Sequence, residues 1–286
     1  SQYRMWFTGW QNDWQHPQRG YATSPDGLNW TKQADNPVLT TGETGTWGKP
    51  VVYFASSSDG AAINGFTVRN GETKEGGGIY AASAEVTIES CKVVDNYAYD
   101  SGGGIRVSYA GAAAVISDTQ VLNNEAGNSG GGITVRYDAS FELRNSVIAH
   151  NRAKWDGGGI EIVESTASVR YSQIYANSNQ GAGGGVHISD QSTATVEGNR
   201  IWENVTTGWA GGGVFVGSGS SATISANEIL SNTALSGAGG GIRVADNETQ
   251  AEITGNDIEG NRAKGGGGIE VSTFATATID RNVIIR

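Results

Sequence analysis

A triplet of glycines followed by an aliphatic residue recurs along this chain, with triplets starting at Gly76, Gly102, Gly130, Gly157, Gly183, Gly211, Gly239 and Gly266. The spacings are 26, 28, 27, 26, 28, 28 and 27 residues, and a near-constant period of this length marks a repeat architecture in which each unit stacks on its neighbours. Each triplet leads into alternating apolar residues, as in Ile105-Arg106-Val107, Ile160-Glu161-Ile162 and Val214-Phe215-Val216. Alternation of this kind is a β-strand with one buried face.

A second strand follows a polar turn, as in Val86-Thr87-Ile88 and Ala222-Thr223-Ile224, and a third ends in aliphatic-x-x-Asn, from Val93–Asn96 to Ile258–Asn261. Three short strands per repeat, each pairing with its copy one coil away, predict an all-β parallel β-helix of about eight to nine coils. Coils then stack at about 4.8 Å, and equivalent side chains form ladders. Asn96, Asn124, Asn151, Asn177, Asn204, Asn232 and Asn261 form one expected ladder. Five residues earlier lies a second, small in Cys91, Thr119, Ser146 and Ser172 and amide in Asn199, Asn227, Asn256 and Asn282. The glycines are expected to turn a sharp corner with positive φ and tight backbone clearance. A phosphate loop occurs once, ahead of a helix, so eight copies read as architecture.

The 44 Gly against 4 Pro fit a tightly turned repeat, and a formal charge of −10 argues against a nucleic-acid partner. No run of apolar residues is long enough to span a membrane, and the start lacks the order of residues of a signal peptide. A leader or longer N-terminal region is therefore expected to be missing. The lone Cys91 excludes an internal disulfide.

The GGG-I and I-x-x-N repeats resemble those of polymorphic outer-membrane adhesins, and Ile63-Asn64-Gly65-Phe66-Thr67-Val68-Arg69-Asn70-Gly71 resembles the opening coil of pectate-lyase-like proteins. This likeness covers residues 52–286 and implies a right-handed β-helix on the surface of a bacterial cell or outside it. Residues 1–51 differ: they lack the triplet and hold five of the eight Trp. Tyr3-Arg4-Met5-Trp6-Phe7-Thr8-Gly9 and Ser24-Pro25-Asp26-Gly27-Leu28-Asn29-Trp30 resemble one blade of a five-bladed glycoside hydrolase propeller. One blade cannot close a ring, so this β-rich segment is expected either to cap the first coil or to end a longer enzyme.

The outward column of the first strand reads Tyr80, Arg106, Thr134, Glu161, His187, Phe215, Arg243 and Glu270. In related folds this face holds glycan, so Tyr80, Arg106, Phe215 and Arg243 are candidate ligand contacts; the alternative is a solvated sheet face. Glu161 and His187 sit in adjacent coils and form either an acid–base pair or an ordinary surface contact. Asp138, Glu164 and Asp190 follow the strand in consecutive coils, where stacked carboxylates either stay solvated or share a Ca²⁺. Trp155 and Trp209, two coils apart, are placed either to stack on sugar rings or to pack their own loops. An outward Thr array on the second strand, with Thr193 and Thr195, is broken by Gln250 and Glu252, which argues against ice binding.

The expected function is a non-catalytic extracellular β-helix for glycan binding, adhesion or surface and filament structure. It would meet a polysaccharide or cell-surface glycan, with end-to-end self-association. The alternative is a polysaccharide lyase or glycoside hydrolase working in the first-sheet groove.

Overall fold

A computed structural model of the chain describes residues 48–56 and 58–285 in full. Ahead of them only the backbone of the strands Tyr3–Trp10, Pro17–Ser24, Asn29–Lys32 and Val38–Leu39 is described. The expected propeller blade and its capping role fall on residues whose packing lies outside that description. From Val52 onward the chain is a parallel β-solenoid, and its first-strand sheet holds nine strands from Val52–Phe54 to Ile269–Val271. The first coil has no triplet, which is why the triplets number eight.

Each coil but the last has four strands among the described residues, rather than the three expected. The fourth follows the Asn ladder and is only two residues long in most coils, as in Tyr97–Ala98, Glu125–Ala126 and Arg152–Ala153. Only one of its two residues points inward, so no alternation advertises it. Pairing holds it in place: Tyr97 N–H donates to Gly71 O at 2.7 Å, and Glu125 N–H donates to Asn96 O at 2.9 Å.

Inside the solenoid, identical residues stack. Ile105 pairs with Ile133, Ile133 with Ile160 and Ile160 with Val186, and all four are fully buried. Their branched side chains fit a pleated sheet, and burying each stabilises the fold by roughly 1.5–3 kcal/mol. One triplet shows why all three glycines are needed. Gly157 has φ +61, and a Cβ there would lie 2.7 Å from Glu161 Cβ. A Cβ on Gly158 would lie 2.6 Å from Gly184 O, and one on Gly159 would meet Gly185 O at 2.6 Å and Asn177 Nδ2 at 3.0 Å.

The Asn ladder satisfies the corner beside these glycines. Asn177 Oδ1 accepts from both the backbone N–H and the Nδ2 of Asn151, each at 3.0 Å. Its own Nδ2 donates to Ile148 O at 2.9 Å and to Asn204 Oδ1 at 3.0 Å. In the second ladder Thr119, Ser146 and Ser172 accept backbone N–H groups at 3.1–3.2 Å through hydroxyls, and Asn199 takes over at 2.9 Å through its amide. Both chemistries accept the same N–H, so the change of residue type leaves the bond intact. Burial pushes the Cys91 thiol at the head of this ladder up to about 11. A third ladder, not foreseen, joins Ser165, Ser192 and Ser220 through N–H to Oγ bonds of 3.2 and 3.1 Å. In the last coil Phe274, Ile279, Val283, Ile284 and Ile285 are exposed.

Replacing Asn177 by Ala would leave the backbone N–H and one Nδ2–H of Asn151 without their acceptor in a buried site. The expected loss is about 3 kcal/mol, read as a lower midpoint in urea denaturation. Thr195→Ala, on the outside of the second strand, should shift the midpoint by no more than about 0.5 kcal/mol.

Candidate functional site

The chain approaching each triplet folds back at the first glycine, so its backbone rises beside the outward residue of the first strand. On the other side, the turn leaving the strand places one or two non-glycine residues per coil at positive φ, including Tyr109, Tyr137, Glu164, Asp190, Ser218 and Asp246. These two flanks make the outward column the floor of a groove. Tyr80, Arg106, Thr134, Glu161, His187 and Phe215 are accordingly buried, Arg106 to 1% exposure. The expected solvated sheet face is therefore corrected to a walled one: alternation points these side chains out of the core, and neighbouring segments then cover them.

At the N-terminal end of the groove the floor is packed with aromatic and cationic groups. Arg106 lies 5.7 Å from the Tyr80 ring centre and 6.0 Å from that of Tyr137, and its Nε donates to Ser108 Oγ at 3.4 Å. Ser108 donates in turn to the Tyr80 hydroxyl at 3.0 Å, and burial pushes that phenol up to about 12. Tyr80 and Arg106, expected to meet ligand, instead hold each other beneath the stacked rings of Tyr109 and Tyr137, whose centres are 5.5 Å apart.

In the middle, Glu161 accepts from Arg136 at 3.1 and 2.5 Å and from Thr134 at 3.1 Å. Burial works against the Arg136 charge, but the Glu161 carboxylate outweighs it and raises the guanidinium above its ordinary value. Glu161 and His187 are register neighbours, yet both Glu161 oxygens are engaged with the preceding coil. The carboxylate facing His187 is Asp156, with Oδ1 3.9 Å from Nδ1. His187 Nδ1 also lies 3.3 Å from Ala182 O, and its ring stacks on Phe215 with centres 5.0 Å apart. A carbonyl only accepts, so Nδ1 carries the proton.

Beyond His187 the groove opens into a cavity of about 390 Å³. Asp156, Ala182 and Trp209 form one wall, Asp190, Ser218 and Asp246 the other, and His187, Phe215 and Arg243 lie on the floor. Asp156 is fixed by the Ala182 N–H at 2.7 Å, and Gly181 makes room for it, since a Cβ there would lie 2.2 Å from Asp156 Oδ1. Arg243 is tied down: Nη1 donates to Trp209 O at 2.9 Å, and Glu270 lies 3.9 Å from Nε.

Trp155 and Trp209 are exposed, at 45% and 72%, so they do not pack their own loops. Gly181 N–H donates to Trp155 O at 2.8 Å and Trp209 N–H to Gly181 O at 3.1 Å, which puts the two Trp on one ladder with a glycine between. Two coils separate them by about 9.6 Å along the axis.

Asp138, Glu164 and Asp190, read as either solvated or sharing a Ca²⁺, do not converge. Among the described residues no three His, Cys, Asp or Glu side chains come together as a metal site, and Asp138, Glu164 and Asp190 are exposed. Register explains it. Arg136, Val163 and Ser189 are aligned, so Tyr137, Glu164 and Asp190 follow in one column, while Asp138 is an extra residue in its turn. Sequence reasoning missed Asp156 and Asp246. Asp246 was within reach, because it stands four residues after Ile242 as Asp190 does after Val186.

With the coils and groove defined, comparison with known proteins is informative. The family model described as a right-handed β-helix region matches residues 51–229 and 127–284, together nearly the whole solenoid. The chain belongs to the right-handed β-helix family. No curated protein and no solved structure gives a significant match. Among the described residues no helix is long and apolar enough to cross a membrane.

The Glu161–Arg136 pair reads as a structural clamp of this β-helix, with the Glu161 side chain 2% and the Arg136 side chain 19% exposed. Glu161→Gln should cost about 2 kcal/mol in denaturation, because it leaves a largely buried guanidinium without its counter-charge. Glu125→Gln, which breaks an exposed pair with Arg152, should cost no more than about 0.5 kcal/mol.

Proposed function

We propose that this β-helix is an extracellular or cell-surface glycan-binding protein that holds a sugar chain along the open half of the first-strand groove. The observation that carries this reading is Trp209, 72% exposed on the wall of a polar cavity whose floor stacks His187 on Phe215. Sugar rings pair apolar C–H faces with a rim of hydroxyls, so they suit an aromatic wall next to carboxylates and serines. Trp155 extends the same wall by two coils, and a linear polymer laid parallel to the axis would reach both indoles. Such a role in adhesion or surface structure needs no catalytic group.

A second reading, a carbohydrate-active enzyme, draws on one arrangement. His187 lines the cavity and has Nδ1 directed to Ala182 O with Asp156 beside it, so Nε2 is the proton acceptor of the neutral ring. Product formation from a polysaccharide that stops in His187→Ala would move the function to this reading.

Affinity electrophoresis against a panel of neutral, acidic and amine-bearing polysaccharides tests the binding role. Retardation by at least one polymer is expected, with Trp209→Ala weakening it about tenfold and Trp155→Ala less, as one lost aromatic stack of ~1–1.5 kcal/mol implies. Retardation unchanged in the double variant would remove the groove from the function.

A further inference from the structure

Resting on the glycan-binding reading, we infer that the sugar held in this cavity carries protonated amines. The cavity is rich in hydrogen-bond acceptors and poor in donors. Asp156, Asp190 and Asp246 line it from both walls, and among the described residues none of the three is paired with Lys or Arg. Arg243, which also lines it, is held by Trp209 O at 2.9 Å and Ser272 Oγ at 3.4 Å and faces Glu270 at 3.9 Å, while its Nε is a buried donor without a hydrogen-bond partner.

The carboxylates have only partial partners inside the protein. Asp246 Oδ2 accepts from Ser218 N–H at 3.3 Å, and Asp190 Oδ2 from Ser189 Oγ at 3.4 Å. On the floor His187 is 6% exposed, and its Nδ1 is accounted for by Ala182 O. In the neutral imidazole Nε2 is the remaining acceptor of this ring, on a residue that lines the cavity. A bound donor complements such an acceptor and the carboxylates around it.

An ammonium group supplies three donors and a positive charge at once, whereas a uronate would bring a fourth carboxylate among three. The aromatic faces of Trp209 and Phe215 complement the same ligand, because a cation attached to a ring with an apolar face is attracted to π systems as well. The overall charge of −10 adds a long-range field of the same sign.

Two matched probes separate this inference from the reading it rests on: a β-1,4-linked glucosamine hexamer and its fully N-acetylated counterpart, titrated calorimetrically at pH 6. The acetylated sugar keeps shape and linkage and loses the charge. The glucosamine hexamer should bind about tenfold or more tightly, the advantage should shrink in Asp190→Asn and Asp246→Asn, and it should fall as salt is raised. Both substitutions preserve the left-handed backbone, which Asn tolerates at φ 55 and 76. Equal or tighter binding of the acetylated hexamer, or of polygalacturonate, would overturn the amine inference and leave the glycan reading standing. Retention of the glucosamine advantage in the double Asp→Asn variant, or binding of hexalysine as tight as that of glucosamine, would also overturn it. If no sugar of the wider panel binds, both fall together.

Discussion

Every coil of this protein lies about 4.8 Å above the next, so each residue has its own copy as nearest neighbour. That single constraint decides what the interior tolerates. Apolar positions stack without difficulty, as Ile105, Ile133 and Ile160 do. A buried polar position needs a side chain that accepts the N–H of the neighbouring coil and places its own donors on nearby oxygens. Asparagine has one acceptor and two donors in a short side chain, which is why the seven-membered ladder from Asn96 to Asn261 is continuous and buried. The glycine triplets follow from the same constraint, because the corner they form must pass a neighbouring backbone oxygen at a distance that excludes a Cβ.

The features set by this stacking were legible in the sequence because every coil repeats them: the triplets, the apolar-x-apolar strands and two of the ladders. What a single coil does differently was harder to read. The fourth strand has one inward residue, such as Ala126, and no period to betray it. Tyr80 and Arg106 alternate outward as expected, but their burial comes from turns and loops far along the chain, which alternation does not encode. Asp138 was misaligned by one inserted residue, and Asp156 gains meaning only because Gly181 in the next coil leaves it room.

A regular scaffold therefore carries an irregular groove. Its N-terminal half is closed by tyrosines over Arg106, and its middle is locked by Arg136 and Glu161. Among the described residues it opens from Asp156 to Asp246, with exposed indole on one wall and carboxylates on both. Membership of the β-helix family accounts for the coils and leaves this stretch to the particular side chains that line it.

Hydrogen–deuterium exchange, with and without the oligosaccharide the protein holds most tightly, tests most directly whether this stretch is the working surface. Slowed exchange is predicted on both walls, around Lys154–Asp156, Gly208–Ala210, Ser189–Gln191 and Gly217–Gly219, while the second-strand sheet stays unchanged. Slowing confined to the second strands Ser221–Ser225 and Gln250–Thr254, with both walls unaffected, would contradict the account.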